Sequence, residues 1–361
     1  KGTFLERAPV IPVSVYKNEG IDGLKDTLSA LYQQIPEYSA GETFRLPIDR
    51  VFSLKGFGTV VTGTLLGGRI KKGQEAVLYP ENIPVKIRKI QVYEQDREEA
   101  WPGQRVAVNI PDRKKEEIIR GDVLAFKDSM YPTMLADVRL SVLRHSPYSV
   151  KNRSRVHVYH GAKELLGKVV LLDKDELNPG ESGYAQLCLE EKTVFQKGER
   201  FVIRFYSPVE TIGGGIVLDS APKKHRHCDE KAEKSCKIKE QGTFEEMLEI
   251  SVREHWGEFL SLEEISKRSA LDRAKIERAA EHLTKTECLV YLEALYIHKE
   301  EMEFYKRKAE RFLEEFHKKY PLKEGMALEE VRSRLGVKNS RIADDILSVL
   351  KGRKVIKEKD G

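Results

Sequence analysis

A chain of 361 residues has the length for several cores, and its net charge of +5 with a pI near 8.7 suits a polyanionic partner better than an acidic one. No apolar run approaches a membrane span or a secretory leader, so no membrane partner is expected and the cytoplasm is the expected home. The four cysteines, Cys188, Cys228, Cys236 and Cys288, form no disulfide framework, which fits a reducing compartment.

In chain order, residues 1–40 read as a short strand leading to Ser14 and Val15, then a loop ending at Gly20-Ile21 that opens a helix. Residues 41–130 read as one small closed β-barrel. Phe44, Leu46 and Ile48 alternate with Arg45, Pro47 and Asp49 at the period of a half-buried strand. Gly56 and Gly58 mark a tight reversal into the β-branched run Val60-Val61-Thr62. Segments 83–92, 103–110 and 120–124 supply further short strands between turn signals. Residues 131–222 repeat that pattern, with strands expected over 134–143, 154–172, 183–189 and 200–206, and Thr211-Ile-Gly-Gly-Gly215 preceding a last one at 216–218.

Beyond Pro222 the composition turns helical and strongly charged. The boundary segment Lys223-Lys-His-Arg-His-Cys228 reads as a solvated basic linker able to meet phosphate through Arg226. His225, His227, Cys228 and Cys236 match no zinc spacing, so no metal site is expected. Residues 261–271 align without gaps on 327–337, an internal repeat that divides the tail into 223–298 and 299–361. Each copy reads as helix, turn, helix and a two-stranded wing. Ser261 with Glu264 forms a capping box, Asp272 caps the next helix, Cys288–Ile297 supplies the first wing, and Lys354–Lys357 begins the second. The expected fold is therefore a multidomain β + α protein, two successive small β-barrels followed by tandem winged helices.

The stretch IDRVFSLKGFGTVVTGT at 48–64, the GxIKxG-like turn after it, GQRVAVNI at 103–110 and RGDVL at 120–124 resemble the second domain of translational GTPases. Val156-His-Val-Tyr-His-Gly-Ala162 and Gly167–Leu172 resemble the third. Phe316–Met326, running into Leu328–Arg332, is similar to the tail of bacterial selenocysteine-specific elongation factors. The resemblance covers essentially the whole chain, with Pro9–Leu24 similar to the last guanine-contacting motif of a GTPase domain and two of the usual four winged helices present.

That family delivers selenocysteinyl-tRNA to the ribosome at recoded UGA codons in a GTP-dependent manner. The resemblance implies GTP and Mg as cofactors of the full-length protein, with Ser14 and Val15 as a nucleotide-site remnant. This chain has no GxxxxGK[ST] loop, no Asn-Lys-x-Asp and no Asp-x-x-Gly, so it is expected to bind neither cofactor and to hydrolyse no GTP. The mRNA hairpin would be read by modules outside it, so weak tRNA binding and no tight hairpin binding are expected, from a monomer. The aminoacyl pocket maps to Asp49, Arg50 and Arg105. A selenol is a stronger acid than a serine hydroxyl, and guanidinium groups in poor solvent favour the selenolate through charge-assisted hydrogen bonds.

Read from the residues alone, Asp49 and Arg50 also suit an ion pair at a strand end, and Arg105 a solvated strand face. Asp49 fits either direct contact or the orienting of an arginine. His157 and His160 have no nucleophile or acid partner in sequence and read as packed or surface histidines, one of them pointing outward. Arg153, Arg155 and Arg204 on the second barrel are candidates for tRNA backbone. In the tail Arg273, Lys275 and Arg278 could meet phosphates, whereas Asp344 and Asp345 would repel them. Two other readings stand beside the first: a general aminoacyl-tRNA-binding translational GTPase, and a winged-helix nucleic-acid-binding regulator.

Overall fold

A computed structural model describes residues 8–34, 43–269 and 273–359. The chain divides into two units, Lys1–Val217 with His225–Cys228, and Leu218–Lys224 with Asp229–Gly361.

In the first unit a tight reversal pairs Ser14 with Glu19 and opens helix α1 (Ile21–Gln34). Gly20 takes φ +72° there, and a Cβ on it would lie 2.2 Å from the Pro12 carbonyl oxygen, so the turn requires glycine. The strand expected before Ser14 is absent among the described residues. A strand needs a neighbour for its backbone groups, and the isolated Ser14–Glu19 bridge is the pairing found there.

The first barrel contains β1 (Arg45–Leu54), β2 (Gly58–Thr64), β3 (Ile70–Lys71), β4 (Glu75–Tyr79), β5 (Ile83–Lys86), β6 (Lys89–Val92), β7 (Gln95–Arg97), β8 (Glu99–Ala100), β9 (Arg105–Asn109) and β10 (Val123–Ala125). Eight of these form one sheet, ordered β5-β4-β10-β1-β2-β9-β6-β7, while β3 pairs with β8. Where the sequence suggested one strand over 83–92, the chain bends at Ile87-Arg88. Its first half pairs with β4 and its second with β9, so the chain itself closes the ring. Phe44, Leu46 and Ile48 alternate inward and join Val61, Leu65, Ile90, Val108 and Leu124 in one core.

The second barrel follows with β11 (Pro132–Val142), β12 (Val150–Lys151), β13 (Arg155–His160), β14 (Lys163–Leu171), β15 (Glu176–Leu177), β16 (Ser182–Val194), β17 (Arg200–Phe205) and β18 (Thr211–Asp219). It is closed in the order β11-β16-β14-β13-β17-β18, and β12 pairs with β15 beside it. The triple glycine does not precede the last strand but lies inside it. A Cβ on Gly213 would sit 2.3 Å from the Ser141 carbonyl oxygen and one on Gly215 2.0 Å from that of Arg139, so the neighbouring backbone leaves no room for a side chain.

The two barrels meet at an apolar patch of Val77, Tyr79, Val123, Ala125, Met130 and Val194. Beside it Arg45 of β1 pairs with Glu199, whose other oxygen accepts a hydrogen bond from His160 Nε2 at 2.8 Å. Both His157 and His160 are held by carboxylates, His157 Nδ1 lying 2.8 Å from Glu164, so the outward histidine expected from the alternation is also tethered.

The second unit runs α2 (Glu230–Gln241), α3 (Phe244–Glu254), β19 (Leu260–Ser261), α4 (Leu262–Ser269), α5 (Arg273–Lys285), β20 (Leu289–Leu292), β21 (Leu295–His298), α6 (Lys299–Lys319), α7 (Leu328–Leu335) and α8 (Ser340–Gly352). Elements α3 to β21 make a complete winged helix, its three strands ordered β19-β21-β20. The capping box at Ser261 is formed: Glu264 N–H donates to Ser261 Oγ at 3.2 Å and Ser261 N–H to the Glu264 carboxylate at 2.9 Å. The Asp272 cap lies outside the described residues. Helices α6, α7 and α8 repeat the three-helix order: α4 and α7 are both 8 residues long, and α5 and α8 both 13. The second wing expected from Lys354 is not a strand. Lys354 takes φ +58°, the amides of Lys354 and Val355 bond back to Lys351 and Leu350, and Val355 and Ile356 pack against the helical core. No described helix is long and apolar enough to cross a membrane.

Candidate functional site

The bend of β1 builds the site. Ile48 lies opposite Gly63 and Arg50 opposite Thr62, so Asp49 is the extra residue of a β-bulge. A bulge turns a side chain out of the strand's alternation, and here it aims the Asp49 carboxylate across β2 at β9. Arg105, the first residue of β9, opposite Thr64, reaches back with both terminal nitrogens: Nη1 donates to Oδ2 at 2.5 Å and Nη2 to Oδ1 at 3.0 Å. Thr62 Oγ1 donates to Asp49 Oδ1 at 2.8 Å and completes the clamp. Gly63 has no room for a side chain, since a Cβ would lie 2.1 Å from the Pro47 carbonyl oxygen, and that close approach lets β1 turn.

Burial is the largest influence on Asp49 and acts to raise its pKa, but the hydrogen bonds from Arg105 and Thr62 and the charges of Arg105 and Arg50 outweigh it, leaving the carboxyl below its ordinary value. Asp49 is therefore ionised and engaged by Arg105. Of the two structural alternatives, the Asp49–Arg50 ion pair does not form and the partner is Arg105. With the Arg105 side chain 51% exposed, this pair adds at most about 1 kcal/mol to folding. Its geometry does more for the shape of the site than for stability.

Asp49, Arg50, Arg105 and Arg120 line an open cleft of about 400 Å³. Arg50 and Arg120 are exposed and have no ion-pair partner among the described residues. One carboxylate facing three guanidinium groups leaves the cleft net positive, a receptor for a small anion. Arg120 was not among the sequence candidates. It enters because Gly121 N–H donates to the Ile48 carbonyl at 2.7 Å and Ile48 N–H to that of Asp122 at 2.8 Å, which sets residue 120 beside the bulge. A pairing between residues so far apart in the chain is not readable from one sequence. The Arg-Gly-Asp-Val-Leu run leading into a strand was the available signal.

The remaining candidates scatter. Ser14 Oγ accepts from Lys17 N–H at 3.3 Å and Val15 is 82% exposed in a short turn, so with no phosphate-binding loop in the chain these residues do not by themselves fit GTP. On the second barrel Arg155 donates to Glu190 with Nε and Nη2, both at 2.9 Å, and lies over the Tyr206 ring. Arg204 donates to the Val209 carbonyl at 2.8 Å, while Arg153 is exposed.

The linker is docked rather than solvated. His225 Nε2 lies 2.9 Å from buried Asp137 and His227 Nδ1 2.9 Å from the Leu171 carbonyl, with Arg226 exposed between them. In the tail the Arg273 side chain lies outside the described residues, Lys275 lies over the Phe244 ring, and Arg278 is exposed. Asp344 is bound bidentately by Arg332 at 2.6 and 2.9 Å, so its charge is answered within the unit.

Three family models match the chain: Elongation factor Tu domain 2 over residues 58–125, the β-barrel domain of selenocysteine-specific elongation factor over 137–224, and the winged helix of elongation factor SelB over 311–361. The selenocysteine-specific elongation factor of Desulfomicrobium baculatum is 37% identical over 225 residues, 62% of this chain and 36% of the relative. That of Escherichia coli K12 is 32% identical over 210 residues, 58% of this chain and 32% of the relative. The chain thus spans about a third of the length of these curated relatives. Among solved structures, a bacterial selenocysteine-specific elongation factor shares the fold with a TM-score of 0.74 at 23% identity, over 93% of this chain and 52% of that one.

Proposed function

Because the chain belongs to the family of selenocysteine-specific elongation factors, we propose that its first barrel holds the aminoacyl end of selenocysteinyl-tRNA, with the selenolate received in the cleft of Asp49, Arg50, Arg105 and Arg120. The complete protein would carry that tRNA to the ribosome in a GTP-dependent manner, with GTP and Mg held outside the residues of this chain. The observation that carries the reading is the division of labour among the guanidinium groups. Arg105 is spent on Asp49, so the Asp49–Arg105–Thr62 clamp acts as a fixed wall, while Arg50 and Arg120 keep their charge for a ligand.

A charge-assisted hydrogen bond contributes about 1.5–3 kcal/mol where a neutral one gives about 1. One such bond to a selenolate, absent for a serine hydroxyl, gives roughly tenfold discrimination or more. Exposed Arg278 on α5 and Arg153 in the turn between β12 and β13 would add sequence-independent attraction for RNA phosphates.

Titration of the chain with reduced selenocysteine amide, and separately with serine amide, tests the cleft while the arginine side-chain resonances are observed by NMR. Shifts at Arg50 and Arg120 with the selenol and none with the hydroxyl are expected. Equal response to both ligands would refute a charge-reading pocket.

A further inference from the structure

Outside the cleft, three side chains with metal-binding chemistry converge on the second barrel. Asp175 Oδ1 lies 2.7 Å from His227 Nε2, Cys228 Sγ lies 3.3 Å from the same nitrogen, and all three ligand atoms fall within 4.8 Å of one another. We propose that Asp175, His227 and Cys228 form a divalent metal site of zinc-type chemistry, with three protein ligands and an open fourth position.

The ligands are set up by backbone rather than by chance contact. β14 ends at Leu171, and its carbonyl lies 2.9 Å from His227 Nδ1 and accepts from Cys228 N–H at 3.2 Å. A carbonyl only accepts, so Nδ1 carries a proton, and Nε2 is the nitrogen that faces the cluster. A backbone carbonyl orienting a ligand histidine through its other nitrogen is the usual outer-shell arrangement of a metal site. Cys228 adopts φ +52°, an uncommon conformation for a residue other than glycine, and this turn brings its sulfur back over the His227 ring. Asp175 sits in the turn before β15, its backbone carbonyl tied to Asn152 N–H at 3.0 Å.

Neutral His227 would present an acceptor nitrogen to a carboxylate and a thiol sulfur, so the centre of the cluster wants positive charge. A proton on Nε2 would supply it. So would a cation, and the spacing suits one. A tetrahedral ion with bonds of about 2.0 Å to N or O and 2.3 Å to S places its ligand atoms about 3.3–3.6 Å apart. The Cys228 Sγ to His227 Nε2 separation falls within that range, but the sulfur, 3.8 Å from Nδ1, stands over the ring and must swing towards the Nε2 lone pair, while exposed Asp175 retreats by a fraction of an ångström. The mixed S, N, O set at low coordination suits zinc better than magnesium or calcium, which demand more oxygens.

The sequence grouped His225 and Cys236 with these residues and omitted Asp175. His225 turns instead to Asp137 and Cys236 is buried in α2, whereas Asp175 is brought in only by the β14–β15 turn. A metal here would clip residues 227 and 228 to the end of β14.

The test uses the untagged full chain, stripped with chelator and kept reduced. Zinc titrated calorimetrically should bind one ion per chain, and cobalt should give the absorption of a tetrahedral site with a thiolate charge-transfer band. Cys228→Ser should abolish that band and weaken zinc at least about tenfold. Asp175→Asn should weaken zinc without removing the band, and Cys288→Ser should change neither. Zinc should also raise the melting temperature of wild type and not of Cys228→Ser. No stoichiometric zinc binding, or binding unchanged in Cys228→Ser, overturns the site and leaves an imidazolium–carboxylate pair.

Discussion

At the scale of single residues, the cleft predicts which substitutions act together. Asp49 and Arg105 share two hydrogen bonds, so Asp49→Ala and Arg105→Ala dismantle one wall. Their effects on selenol discrimination should be similar, and the double variant should lose little more than either single one, a coupling a double-mutant cycle reads directly. Arg50→Ala removes a receiving charge rather than a wall, and it should weaken selenol binding further even in the Asp49→Ala background. That Asp49, Arg50 and Arg105 belong together was legible through the resemblance, and the structure lines one cleft with them. What each does was not legible. A bulge at one position decides that Asp49 faces Arg105 and not Arg50, and nothing in the local pattern announces where a bulge falls. Arg120 was hidden for a related reason, because β10 pairs with β1 across most of a barrel.

At the scale of elements, local chemistry was the better guide. Period-two alternation located the barrel strands, and the capping box and the 261–271 repeat located the helices, because both signals are short-range. The failures are places where long-range contact overrides a local cue. Three glycines in a row read as a break, yet in β18 they serve as the thin part of a strand crowded by the carbonyls of β11 and β17. Gly215→Ala should accordingly destabilise the second barrel by about 1–3 kcal/mol, the range for overpacking a site that must shift, read as a lower denaturant midpoint at unchanged slope. Gly198→Ala serves as the control for sterics, since no atom lies within 4 Å of its added Cβ and only the cost of its φ of +87° remains. The β-branched pair Val355-Ile356 reads as a wing strand but packs as a helix terminus, with its backbone bonded back to α8.

At the scale of the molecule, the two units should answer acid in opposite directions. In the first, burial and the Arg45 charge push His160 down to about 4, so the native imidazole stays neutral and donates to Glu199. The unfolded chain takes up that proton below about 6.5, so stability from this site is lost as pH falls from about 6.5 towards 4. In the second, burial pushes Glu301 up to about 7 against the Gly257 amide bond and the Lys223 charge. Its unfolded value is near 4.5, so its contribution is full below that value and is lost as pH rises through about 7. Each site is worth about 1–3 kcal/mol at most. Calorimetric scans at pH 7 and pH 5 should show the barrel transition falling and the helical transition rising. Glu301→Gln, which keeps an acceptor for Gly257, should flatten the second trend, and His160→Gln the first. Shifts of both transitions in the same direction would contradict these assignments.

The central claim is that charge in the Arg50 cleft tells selenocysteine from serine, and it is tested most directly on this chain joined to a GTPase domain of the family and loaded with GTP. Affinities for selenocysteinyl-tRNA and seryl-tRNA of identical body should differ by at least about tenfold, and Arg50→Ala should bring the ratio towards one chiefly by weakening the selenocysteinyl complex. Equal affinities in the unsubstituted protein, or a ratio untouched by Arg50→Ala, would contradict it.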